Sequence, residues 1–223
     1  MSFIVNKKIT SLKKYNNFLD EEFIFLHVPK AGGTSFQKIM EDRFLFKRPK
    51  ELSLVGHFSL LETNLKLSRK NIKISNYLAL KRDPLDWRYS CYNYWKNSPE
   101  RTGDHVINEL FNNISFIDYI KMLLSDKNNL FNSNLAWKPY SDYISYNFEF
   151  TLSSLSNINL FIYDMTNGFE RFEKDILNLD KTNNLRINIS KRNSNEKDLL
   201  DATLLEELRE FDKIPKNLDI NLL

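Results

Sequence analysis

The nine residues His27-Val28-Pro29-Lys30-Ala31-Gly32-Gly33-Thr34-Ser35 constrain the fold more than any other stretch, because of what flanks them. Before them stands FIFLHV, starting at residue 23, short, aromatic and β-branched, the pattern of a buried strand. After them comes TSFQKIMEDRF, in which Phe36, Ile39, Met40 and Phe44 follow helical spacing and Thr34 or Ser35 can cap the helix. Strand, glycine loop, helix is the order of a ligand-binding α/β unit. Gly32 and Gly33 permit a tight turn and close backbone approach, and the amides of the helix start are free to point at phosphate oxygens. Lys30 adds a mobile positive charge, Thr34 and Ser35 hydroxyl donors. The usual nucleoside-triphosphate loop has four residues between its first glycine and Gly-Lys-Ser/Thr, whereas lysine precedes the glycines here. No acidic metal-binding strand end accompanies it, so the pattern favours phosphate held by protein donors over magnesium-dependent kinase chemistry.

The 223 residues suit one α/β domain with elaborations, spanning 1–223, with an acceptor-side helical or loop insert around 98–150. LSLVGHF, 52–58, reads as a second short strand or its exit, and LLETNLKL as a helical turn. IKISNYLALKR, 72–82, has the character of a central strand and runs straight into DPLDWRYSCYNYWKN. There Asp83 is placed as N-cap, Pro84 at the first helical position and Asp86 at the third, which predicts a helix ending near Asn97 before Ser98-Pro99. Residues 105–125 read as one broken or two short helices, 131–150 as a long functional loop, NLFIYD at 159–164 as another parallel strand followed by a helix, and 196–213 as a terminal amphipathic helix.

Arg82 lies at a strand exit, suited to a paired contact with phosphate, and Ser90 lies about two turns into the next helix, suited to a shorter hydroxyl contact. FIFLHVPKAGGTSF resembles the 5′-phosphosulfate loop of the phosphate-loop sulfotransferases, particularly the carbohydrate branch of the heparan 2-O type, and LKRDPLDWRYSCYNYW resembles their 3′-phosphate motif. The resemblance implies a P-loop-type three-layer fold, a central parallel sheet flanked by helices. It also implies 3′-phosphoadenosine 5′-phosphosulfate as donor, with Lys30, Ala31, Gly32, Gly33, Thr34 and Ser35 around its 5′ end and Arg82 with Ser90 at its 3′-phosphate. It runs through residues 23–192, most closely up to residue 97, and makes Arg186, Asn188, Ser190, Lys191 and Arg192 late cofactor contacts. One departure stands out: Trp87 occupies a position often filled by arginine in the family, and Arg88 is displaced by one step, about 100° around the helix. That displacement argues against a direct anion role for Arg88 and for packing of Trp87 against the sheet.

Sulfuryl transfer needs in-line alignment, removal of the acceptor proton and stabilisation of the leaving phosphate. Lys30 suits the last task. His57, in VGHFSL, is the expected base, with Glu62 as the carboxylate rival; some carbohydrate sulfotransferases that the chain resembles have a histidine in a similar region. His27 fits loop positioning, and His105 fits a surface turn. Trp95, Trp137, Tyr140, Tyr143 and Tyr146 are candidate sugar-stacking surfaces, and Lys96, Arg101 and Lys138 candidate contacts to an anionic saccharide. The expected reaction is direct transfer to a hydroxyl of a carbohydrate or glycan-like acceptor, with no catalytic metal. The alternatives are a non-catalytic phosphonucleotide-binding interaction module and a P-loop kinase.

With 32 Lys and Arg against 29 Asp and Glu, the net charge of +3 speaks against nucleic-acid wrapping. Cys91 alone excludes an intramolecular disulfide framework. No run approaches the ~20 apolar residues of a membrane span, and charges interrupt the first residues where a secretory signal needs its apolar region, so the expected location is cytoplasmic.

Overall fold

The structure, a computed structural model, describes residues 3–6, 23–43, 45–47, 57–73, 75–98, 105–125, 137–144, 158–171, 174, 200–213 and 220–222. The chain divides into two compact units: Met1–Arg82 with Asp142–Asn188 and Pro215–Leu223, and Asp83–Ser141 with Ile189–Ile214. The expected insert around 98–150 falls largely within the second, which begins earlier, at Asp83.

The first unit is α/β. Its strands are β1 (Phe3–Asn6), β2 (Phe23–Leu26), β3 (Leu45–Lys47), β4 (Asn76–Lys81), β5 (Asn159–Asp164) and β6 (Ile220–Leu222), in the order β3-β1-β2-β4-β5-β6. Strands β2, β4 and β5 form the parallel centre, with Phe25 opposite Leu78 and Leu78 opposite Phe161; β6 joins β5 in parallel, and β1 pairs antiparallel with both β2 and β3. A parallel strand covered on both faces needs apolar side chains at successive positions, which is why FIFL and YLAL are unbroken runs and every residue of each is buried. Full burial of such a side chain is worth roughly 1.5–3 kcal/mol. Helices α1 (Gly33–Arg43) and α2 (Leu60–Ser68) complete the described unit with the short turns at 165–167 and Gly168–Arg171.

Helix α1 starts at Gly33, and its first bond runs from the Phe36 N–H to the Gly32 carbonyl, so Gly32 takes the cap position. Thr34 and Ser35 therefore ride inside the first turn instead of capping it. LLETNLKL is a full helix, longer than the turn expected, because Ser59 and Glu62 form a reciprocal capping box. Of the expected strand at 52–58, only His57 and Phe58 are described, and they lead into that cap as irregular backbone. Among the described residues no helix is long and apolar enough to cross a membrane.

The second unit is helical: α3 (Pro84–Asn97), α4 (His105–Asn113), α5 (Phe116–Ser125), and, after the four-residue helix α6 (Ser141–Ile144) that straddles the division and α7 (Gly168–Arg171) of the first unit, α8 (Ala202–Phe211). Helix α3 begins where its signals place it, with the Asp83 carboxylate accepting from the N–H groups of Leu85 and Asp86. Arg88 is fully buried, donating to both Asp212 oxygens at 2.7 and 2.6 Å and to the Lys138 carbonyl at 2.9 Å, and Asp212 also accepts from the Tyr140 N–H. Burial opposes the guanidinium charge, and the Asp212 carboxylate more than offsets this, so its pKa moves up. The arginine is a clasp between α3, residues 138–140 and the end of α8. Trp87 is buried edge-on to Tyr140, at 5.3 Å between ring centres.

Candidate functional site

The loop between β2 and α1 has an unusual backbone. Lys30 has φ 58° and Gly32 φ 102°, both in the left-handed region. Glycine occupies it freely, but a lysine there carries a strain on the order of 1 kcal/mol that surrounding contacts must offset. Such a contact is present: Arg82, just past the end of β4, donates from Nη1 to the Lys30 carbonyl at 3.1 Å. Two motifs 52 residues apart thus meet at one peptide group.

Gly33 is required for a different reason. A Cβ on it would overlap the His27 ring, lying 2.9 Å from its Cγ and nearer still to Cδ2 and Nε2. The ring of His27 packs on the backbone of the loop, in keeping with the positioning role read for it. No acidic residue stands in the first turn of α1, Thr34 is exposed there, and Ser35 is buried. First-turn amides, two hydroxyls, a lysine and an arginine make up a donor set of the chemistry an anion requires, so the residues present fit a phosphate-bearing ligand.

His57 stands two residues before the Ser59 cap of α2. Its Nδ1 lies 3.1 Å from the His27 carbonyl oxygen. A carbonyl only accepts, so Nδ1 carries the proton and Nε2 holds a lone pair. Among the described residues nothing hydrogen-bonds to Nε2. Burial lowers the pKa of the imidazole to about 4, so it is neutral at physiological pH and able to take a proton on Nε2.

Glu62 is occupied differently. Its Oε2 accepts from the Ser59 N–H at 2.8 Å, while the Ser59 hydroxyl accepts from the Glu62 N–H at 3.2 Å. The cap of α2 thereby engages Oε2 of this carboxylate. Glu62→Gln retains an acceptor oxygen, and the expected loss is no more than about 1 kcal/mol of stability, with donor binding at the parental level; urea denaturation checks it.

No family model, curated protein or solved structure matches this chain.

The remaining residues divide clearly. Ser90 is in the seventh position of α3, half-buried, within the second unit. Trp95, Trp137, Tyr140 and Tyr143 are all at most 5% exposed, which corrects their reading as sugar-stacking surfaces: they are core. Trp137, for example, meets Phe111 and Tyr119 edge-on at 5.4 Å. Lys96 is exposed and donates to the Tyr92 hydroxyl and, at the end of α4, to the Ile114 carbonyl. Lys138 is half-buried and lends its carbonyl to Arg88. His105 begins α4 and is helical instead of lying in a surface turn. Arg101, Tyr146, Arg186, Asn188, Ser190, Lys191 and Arg192 lie outside the described residues. Among the described residues no three His, Cys, Asp or Glu side chains stand together as metal ligands.

The strained Lys30, the Arg82 brace and the His57–His27 bond were not legible as sequence. A non-glycine residue at positive φ has no local signature, and the other two are long-range contacts.

The low pKa of His57 has a consequence for stability. The unfolded chain binds a proton at this residue near pH 6.5, the folded chain only near 4, so protonation favours unfolding throughout that interval. Stability is complete above about pH 6.5 and is expected to fall by up to about 1.4 kcal/mol per unit as pH drops towards 4. Denaturant midpoints of the parent and His57→Gln across this range check it, the variant showing the shallower dependence.

Proposed function

We propose that this chain is a P-loop-type sulfotransferase that moves a sulfuryl group from 3′-phosphoadenosine 5′-phosphosulfate directly to a hydroxyl of a carbohydrate or glycan-like acceptor. The observation that supports it most directly is the bond from Arg82 to the Lys30 carbonyl, which joins the 5′-loop and the exit of the 3′-motif strand. When bound, the donor supplies an activated sulfuryl group on a phosphate leaving group. In this reading Lys30, with Ala31, Gly32, Gly33, Thr34 and Ser35 around it, meets the charge that grows on the leaving phosphate. Arg82 and Ser90 hold the 3′-phosphate. His57 receives the acceptor proton on Nε2, the nitrogen left unprotonated when Nδ1 donates to His27.

The deciding experiment incubates the purified chain with donor and a panel of saccharides and reads sulfated product by intact mass together with release of adenosine 3′,5′-bisphosphate. Binding of the nucleotide with no transfer to any acceptor replaces this reading with that of a nucleotide-binding interaction module. Arg82→Ala tests the 3′-phosphate assignment. Loss of a charge-assisted bond is expected to weaken adenosine 3′,5′-bisphosphate by about tenfold to a hundredfold. The loss for adenosine 5′-phosphate is expected to be only a fewfold, from slackening of the Lys30 turn. Equal losses for the two ligands, measured by calorimetry, reduce Arg82 to a loop brace.

A further inference from the structure

The ring of His27 is confined on three sides. The Gly33 backbone presses on it so closely that a methyl group there has no room. The His57 ring stands against it nearly at right angles, 69°, with 4.8 Å between centroids. Phe25 lies on the core side at 6.0 Å, and Phe25 is itself stacked on Phe36 of α1 at 4.3 Å. Phe25 and Phe36 are at most 1% exposed, so that wall is close-packed and does not give readily. A displacement of the loop at Gly33 therefore meets the His27 ring directly, and that ring in turn borders His57. The backbone carbonyl of the same residue accepts the His57 Nδ1 proton, so His27 holds His57 through two separate groups.

We propose that His27 is a positioning residue whose ring, wedged between the glycine loop and His57, holds His57 in one orientation and transmits movement of the loop to it. It rests on the preceding reading only in naming the loop a donor site and His57 the base; there it means that filling the loop regulates the alignment of the base.

The test contains neither donor nor acceptor. Nitrogen NMR of the three histidine side chains at neutral pH reports ring tautomer, and single substitutions assign each signal. In the parent, His57 is expected as a single species protonated on Nδ1. In His27→Ala the wedge is lost, and a mixture of the two tautomers is expected, whereas His27→Phe restores ring bulk and the single species. Gly33→Ala is expected to shift the His57 signals when His27 is present and to leave them unmoved in the His27→Ala background. If Gly33→Ala does not fold by itself, recovery of folding in the Gly33→Ala/His27→Ala pair reads the same wedge, and failure of the pair to recover counts against it. A single Nδ1-protonated His57 in His27→Ala, or a Gly33→Ala shift of equal size with and without the His27 ring, overturns the proposal. Absence of sulfuryl transfer in the parent overturns the sulfotransferase reading and leaves the wedge standing.

Discussion

Replacing His57 with alanine is expected to slow single-turnover sulfuryl transfer by about 100-fold to 10,000-fold, the range typical for loss of a positioned general base. Binding of adenosine 3′,5′-bisphosphate should stay near the parental level, because His57 contacts the His27 peptide and not the donor set. His57→Gln separates proton transfer from packing: its side-chain nitrogen still donates to the His27 carbonyl, but nothing in its place accepts a proton as imidazole does. If the rate falls in both variants while nucleotide affinity holds, the base is assigned. The pH profile adds a second reading. The imidazole is neutral above about pH 4, so the parental rate should stay level down to that region and drop below it. If both variants transfer at the parental rate and Glu62→Gln is the one that fails, the role passes to Glu62 despite its cap.

Lys30→Ala is expected to lower the transfer rate by about 100-fold to 1,000-fold, the scale of losing one preorganised donor to a developing negative charge. Its backbone supplies an internal control. Because Lys30 sits at φ 58°, Lys30→Gly removes the charge and also relieves the strain, while Lys30→Ala removes the charge and keeps it. Relief on the order of 1 kcal/mol is offset by the larger conformational entropy of glycine in the unfolded chain, so Lys30→Gly should match the parent in thermal denaturation within about 1 kcal/mol. Both variants should lose the same rate. If Lys30→Gly transfers at the parental rate, the ammonium is not the group that meets the leaving phosphate, and the loop serves through its amides alone.

Parts of this molecule are written in local chemistry, and these were readable. Asp83-Pro84-Leu85-Asp86 carries a cap, a preset φ and an acidic group at the positive end of a helix, and α3 starts at Pro84. NLFIYD is bounded as β5 is bounded, at Asn159 and Asp164. The FIFL and YLAL runs declare their burial on both faces. Residues 105–125, read as one broken or two short helices, are two, α4 and α5, and the Ser115 hydroxyl caps the second by accepting from the Asp118 N–H. Three short strands escaped: β1, β3 and β6, of three or four residues each, are too brief to show a period and exist because a neighbour offers them a ladder.

The aromatic residues divide sequence from structure most sharply. Trp and Tyr have the same composition signature whether they face a sugar or a core, and only the packing of Phe111, Phe116 and Tyr119 around Tyr92, with Trp137 against Phe111 and Tyr119, made the second unit's aromatics internal. Arg88 and Asp212 are 124 residues apart, and no local rule joins them. By itself the sequence determined the parallel strands, the capped helix α3 and the glycine loop with its donors, because propensity, capping and apolar periodicity act within a few residues of one another. Tertiary structure decided which nitrogen of His57 keeps its lone pair and that Lys30 is held at positive φ against Arg82. Each of these depends on a partner brought close only when the chain has folded, and on burial, which sets the pKa of a group by removing water that no sequence position can remove alone.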